Sequence, residues 1–130
     1  MKIEHAIHNE DACNYLYQSG EYNDWVVTTA FYSAMHYVQN ELFPIEIYDE
    51  TYENFNIYYA SRYNHLIDKP SKHQVTIELV KNRLSNCSRF YRWLFDECYT
   101  ARYNNYHVSL NTANMAMRYL KNIKAQLNKI

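Results

Sequence analysis

Glycine occurs once in this chain (Gly20) and proline twice (Pro44, Pro70) among 130 residues. A β-sandwich or barrel of this size needs many turn residues, and they are missing. The same scarcity excludes phosphate-cradling loops, because the P-loop and the dinucleotide fingerprint each need several glycines. Charge of one sign is also lacking. The formal net charge is -1, so no global basic field advertises nucleic acid, although a local basic groove can sit on a neutral protein. No apolar run reaches the length of a membrane span and no signal-peptide pattern opens the chain, so a soluble cytoplasmic domain is expected. Cysteine appears three times (Cys13, Cys87, Cys98), an odd number without CxxC spacing. These read as small core residues in a reducing compartment.

What is abundant is tyrosine: 15 Tyr beside 5 Phe. Tyrosine joins an apolar body to a polar tip, so it suits half-buried helix faces and equally suits an interface or a base-stacking surface. The length fits one domain, residues 1–130, able to bury a core without disulfides or a structural metal.

Long breaker-free stretches make the expected fold all-α, an antiparallel bundle of about four to five helices. Residues 3–18 end at Ser19-Gly20, a C-terminal cap signal. Residues 24–42 carry the strongest apolar stripe, Val27, Phe31, Ala34, Val38 and Leu42, which predicts the central helix. Pro44 closes it. Residues 43–70 are poorly periodic and read as a long connection with one short helical piece near Tyr52–Tyr63. Ser71 is a plausible cap for a helix over 71–86, with His73, Ile77, Val80 and Leu84 as its stripe. A helix over 87–104 carries Cys87, Phe90, Leu94, Cys98 and Ala101 on one stripe and Tyr91, Phe95, Tyr99, Arg102 and Tyr106 on a neighbouring one. After a break at Asn104-Asn105, a last helix starts between Ser109 and Asn111, with Ala113, Met117, Leu120, Ile123 or Lys124, and Leu127 inward.

Chemistry is sparse. The acidic pairs Glu10-Asp11, Asp49-Glu50 and Asp96-Glu97 are adjacent, and adjacent helical residues do not face each other, so they read as solvated faces. His5 and His8 have i, i+3 spacing but no evident third ligand, so no metal and no cofactor is expected. The segment with chemical content is Ala101-Arg102-Tyr103-Asn104-Asn105-Tyr106-His107. Arginine grips phosphate oxygens through a fork of donors, histidine exchanges a proton near neutral pH, and asparagine orients either. Such a set can cleave RNA without a metal: histidine takes the 2′-hydroxyl proton and arginine stabilises the charge on the attacked phosphate. On an unbroken helix Arg102 and His107 would point roughly 140° apart. They converge only if the helix breaks at Asn104-Asn105 or if two subunits combine their motifs.

Three segments together give the chain a family resemblance: Tyr22 through Tyr37 (YNDWVVTTAFYSAMHY), Lys72-His73, and Ala101-Arg102-Tyr103. It resembles the HEPN superfamily (higher eukaryotes and prokaryotes nucleotide-binding domains), in its bacterial branch, over nearly the whole chain. The resemblance implies a bundle of four or five helices, usually a homodimer. It also implies an Arg, four to six residues and a His as the catalytic motif of a metal-independent RNase, which falls on Arg102 and His107. Tyr103, Asn104, Asn105 and Tyr106 would orient or bind RNA. His36, His73 and Tyr32 would stand behind the site or touch ligand, the alternative for both histidines being a packing role. Tyr103 departs from the polar residue that often follows the family's arginine. Members ending in Arg-Tyr without the His lack cleavage activity, so the resemblance carries two readings. One is a toxin-type RNase; the other is a non-catalytic module binding nucleotide, RNA or a protein such as a nucleotidyltransferase antitoxin.

Overall fold

The computed structural model describes residues 2–129. Six helices and one small hairpin follow in the order α1 (Lys2–Ser19), α2 (Asn23–Leu42), β1 (Ile45–Ile47), β2 (Glu50–Tyr52), α3 (Phe55–Tyr63), α4 (Lys72–Arg83), α5 (Ser85–Tyr103) and α6 (Leu110–Gln126). The all-helical class is as expected. Among the described residues the helices number six rather than four to five, because the short piece in residues 43–70 is a full helix, α3.

Cross-helix contacts fix the arrangement around α2. Ser33 Oγ donates to the Ala6 carbonyl at 2.8 Å and the Cys13 thiol to the Val26 carbonyl at 3.4 Å, so α1 and α2 run antiparallel. The reversal is made at Gly20, whose φ of +72° is a left-handed conformation that L side chains adopt only with strain. Along α6, Asn114 meets Tyr17, Met117 meets Cys13 and Lys124 meets Glu10, an antiparallel pairing of α6 with α1. The stripe Val27, Phe31, Ala34, Val38 and Leu42 is buried throughout. Val26, Ala30 and Tyr37 widen it, so α2 buries a broad face among α1, α4, α5 and α6.

All three cysteines are free and buried. Burial pushes the Cys13 thiol up to about 11 and raises Cys87 and Cys98 as well, so none is a ready nucleophile at neutral pH.

Two sequence expectations shift. The buried face of α4 is Val75, Thr76, Leu79 and Val80, about one position out of phase with the predicted stripe. His73 and Ile77 are only half buried. The helix begins at a full capping box, Ser71 Oγ accepting from the Gln74 N–H and the Gln74 side chain accepting from the Ser71 N–H, both at 3.1 Å. The supposedly loose connection also holds a hairpin, Ile45 paired with Tyr52 and Ile47 with Glu50. Its two-residue loop, Tyr48-Asp49, has both φ angles positive, as the tight primed turns of hairpins require. Phe43, Tyr52, Phe55, Tyr58 and Tyr59 bury their rings against one another beneath it, and Tyr59 donates to the Pro70 carbonyl at 2.5 Å. Part of the tyrosine surplus is therefore core.

Glu10 departs from the solvated face expected of it. It accepts from Tyr37 and from Lys124, both at 2.7 Å, and so ties α1 to α2 and α6. Because both charges are mostly shielded, truncating one leaves the other poorly satisfied. Glu10→Ala is expected to cost about 1–3 kcal/mol, more than Asp11→Ala on the exposed side, and urea midpoints of the two variants check this.

Candidate functional site

The C-terminal turn of α5, the middle of α2 and the first turn of α4 meet in a cleft of about 260 Å³. Arg102 stands at its mouth. The guanidinium donates to the Tyr32 hydroxyl at 2.9 Å and lies 5.4 Å from the centre of the Tyr103 ring. Among the described residues no carboxylate comes within ion-pair distance of Arg102. Asp96, the acidic neighbour one would expect to neutralise it, pairs instead with Arg92 at 3.1 Å.

The walls are aromatic. Phe95, Tyr99 and Tyr103 recur every four residues on α5, so their rings form a ladder with centroid spacings of 6.2 and 5.0 Å. Phe31 closes the floor and His73 lines the cleft from α4, its ring 5.5 Å from Phe31 and 5.4 Å from Phe95. Ser71, the α4 cap, and Cys98 complete the lining. The end of α4 that faces the cleft is its N-terminus, which adds positive potential.

Electrostatics follow from burial and from Arg102. Burial raises the Tyr32 hydroxyl, with the neighbouring Cys98 adding to it and the Arg102 charge only partly opposing it. Tyr32 is therefore a neutral donor and acceptor at physiological pH. Burial lowers His73 below its ordinary 6.5, and repulsion by Arg102 lowers it further. His73 is neutral at pH 7 and accepts a proton only in mild acid. The unfolded chain protonates first, so the contribution of His73 to stability is intact above about 6.5 and is lost as pH falls from 6.5 to its folded midpoint. Melting temperature measured from pH 8 to pH 5 is expected to fall less in His73→Gln than in the parent protein.

The remaining sequence candidates fall elsewhere. Asn104 caps α5, its N–H reaching the Thr100 carbonyl at 2.9 Å. The Asn105 side chain accepts from the His107 N–H at 2.9 Å. The helix thus breaks where expected. The break carries Tyr106 and His107, their rings 4.2 Å apart, toward the start of α2. There both line a hollow of about 370 Å³ with Tyr22, Asn23 and Trp25. His107 also lines a polar hollow with Glu97, Ser109 and Thr112. Arg102 borders neither hollow, so within one chain Arg102 and His107 do not share a cleft. His36, one turn along α2 from Tyr32, packs its ring edge-on against His5 at 5.1 Å and does not line the Arg102 cleft. Tyr32, His73 and Tyr103 are brought to Arg102, whereas His36, Asn105, Tyr106 and His107 are not. The residues that sequence reasoning passed over are Phe31, Phe95 and Tyr99. The signal for the last two was the aromatic stripe at four-residue spacing that runs directly into Arg102.

Among the described residues no group of three or more His, Cys, Asp or Glu side chains is placed to hold a metal. Among the same residues no helix is long and apolar enough to cross a membrane. The protein is a helical bundle with an arginine-mouthed, aromatic-walled cleft. Comparison with protein-family models, curated proteins and solved structures finds no match to this chain.

Proposed function

We propose that this chain is a HEPN-like binding module whose Arg102 cleft takes a phosphate of a ribonucleotide or an RNA strand. The observation that carries the reading is the state of Arg102: its guanidinium is held by a hydroxyl rather than a carboxylate, beside an aromatic-walled hollow. An arginine without an acidic partner keeps its forked donors for an anion. Tyr99 and Tyr103 are large exposed rings of the kind on which bases stack. A labelled single-stranded RNA is expected to bind in EDTA and to dissociate as salt rises. Absence of binding at low salt would end this reading.

A second reading has its own support, a collar of exposed apolar surface around His107. Tyr22, Trp25, Tyr106 and Leu110 are all at least half exposed, and patches of this kind mark association surfaces. On the HEPN resemblance, a homodimeric RNase formed through this surface would set Arg102 of one copy against His107 of the other. His107 would take the 2′-hydroxyl proton, the 2′-oxygen would bond to phosphorus, and the bond from phosphorus to the 5′-oxygen would break as that oxygen takes a proton from water. The products would be a 2′,3′-cyclic phosphate and a 5′-hydroxyl end, with Arg102 stabilising the added negative charge. Incubation with structured RNA in EDTA is expected to give such ends with the parent protein and none with Arg102→Ala or His107→Ala. Intact RNA in all three would leave the binding module alone standing, whose partners on the same resemblance include a nucleotidyltransferase antitoxin.

A further inference from the structure

Beyond Phe95 and Tyr99 the Arg102 cleft meets a larger hollow, about 580 Å³, between the end of α3 and the helices α4 and α5. Ser71, Phe95 and Tyr99 line both spaces, so the two are halves of one groove. Their chemistry differs. The Arg102 half is cationic, with a guanidinium and a helix N-terminus beside the neutral His73 ring. The larger half presents the Tyr63, Phe95 and Tyr99 rings, the Ile77 side chain and, on the same α4 face, the exposed Glu78 carboxylate. Arg92 also borders this half, and its charge is offset by the Asp96 carboxylate at 3.1 Å. Among the described residues Glu78 has no ion-pair partner. A phosphate is repelled by Glu78 and drawn to Arg102, which orients any ligand carrying both a phosphate and an aromatic ring.

Resting on the phosphate-binding reading of the cleft, we propose that the hollow beside Glu78 is the nucleobase subsite of the same ligand. There Glu78 selects a base with an exocyclic amine, cytosine or adenine, over uracil. A carboxylate only accepts hydrogen bonds. It pairs with the N4 amine of cytosine and is repelled by the O4 carbonyl that uracil carries at the same position. Stacking against Tyr63 and Tyr99 supplies the part of the affinity that does not depend on which base is bound.

The test uses three ligands, ribose 5-phosphate, CMP and UMP, titrated into the isotopically labelled full chain. Ribose 5-phosphate is expected to shift amide signals near Arg102 and Tyr32 alone. CMP is expected to shift those of Tyr63, Ile77 and Glu78 as well and to bind about ten-fold tighter. UMP should bind about ten-fold more weakly than CMP, and Glu78→Gln, an exposed and near-isosteric change, should close that gap. CMP that gains nothing over ribose 5-phosphate, or a CMP preference that survives Glu78→Gln, overturns this inference alone. Ribose 5-phosphate binding that ignores Arg102→Ala removes the phosphate site and this subsite with it.

Discussion

Arg102→Ala is expected to lower affinity for single-stranded RNA by roughly 10- to 100-fold while leaving the melting temperature nearly unchanged. The two halves of that statement have separate causes. Charge-assisted hydrogen bonds to phosphate contribute about 1.5–3 kcal/mol, and no other arginine lines the cleft. The side chain itself is exposed and rests on a hydroxyl and a ring face, so its removal uncovers little, and exposed changes of this kind stay within about 0.5 kcal/mol. Arg102→Lys keeps the charge but loses the fork and should fall between the two. Tyr32→Phe deletes the hydroxyl that holds the guanidinium at 2.9 Å and should weaken binding by a few-fold without touching charge. The salt dependence of binding separates these cases: the slope should drop by about one phosphate contact in Arg102→Ala and be retained in Tyr32→Phe.

The largest stability effect is expected at Phe31. The side chain is 1 % exposed, and its ring sits 5.2 to 5.6 Å from those of Tyr32, His73, Tyr91 and Phe95. It therefore joins α2 to α4 and α5 at the floor of the cleft. Phe31→Ala should cost about 3–5 kcal/mol, a large share of the roughly 5–15 kcal/mol typical of a domain. Melting is expected to fall by roughly 10–20 °C. Phe31→Leu, which conserves most of the volume, should cost about 1 kcal/mol. Because the same ring lines the cleft, both variants should bind ligand less well at temperatures where they remain folded, with the alanine variant the more affected. Calorimetry and RNA titration at low temperature distinguish loss of fold from loss of the cleft floor.

The helices were legible where periodicity and caps agreed. The stripe of α2, the glycine stop after α1, the Ser71 cap and the break at Asn104-Asn105 all follow from local chemistry, because helix geometry is local. The hairpin was not legible. Its loop residues are Tyr48 and Asp49 rather than the Asn-Gly or Asp-Gly that signals a primed turn, and its strands are three residues each, too short for a period of two to register. The phase of α4 was misplaced because His73 and Ile77 are apolar enough to extend a stripe. They face the groove instead of the core, so a functional surface imitated a packing pattern. Glu10 was misjudged for the converse reason. Its partners Tyr37 and Lys124 lie 27 and 114 positions away, and no local rule pairs residues at that distance. The site was half legible. Arg102 stood out by residue type. Its cleft did not, since Tyr32 is 70 positions away in the chain and is brought close only when α2 packs against α5. His107 was the partner that the HEPN resemblance implied, and the break after α5 turns it toward a different hollow.

The central claim is that Arg102, Tyr32 and the Tyr99–Tyr103 ladder form the surface on which a nucleic-acid ligand lies. Photo-cross-linking of a 4-thiouridine-bearing single-stranded RNA, followed by peptide mass spectrometry, tests it most directly. The account predicts adducts on the peptides that carry Tyr99, Tyr103 or Tyr32, and their loss in Arg102→Ala. Adducts confined to the Trp25–Tyr106 surface, or an adduct pattern indifferent to Arg102, would contradict it.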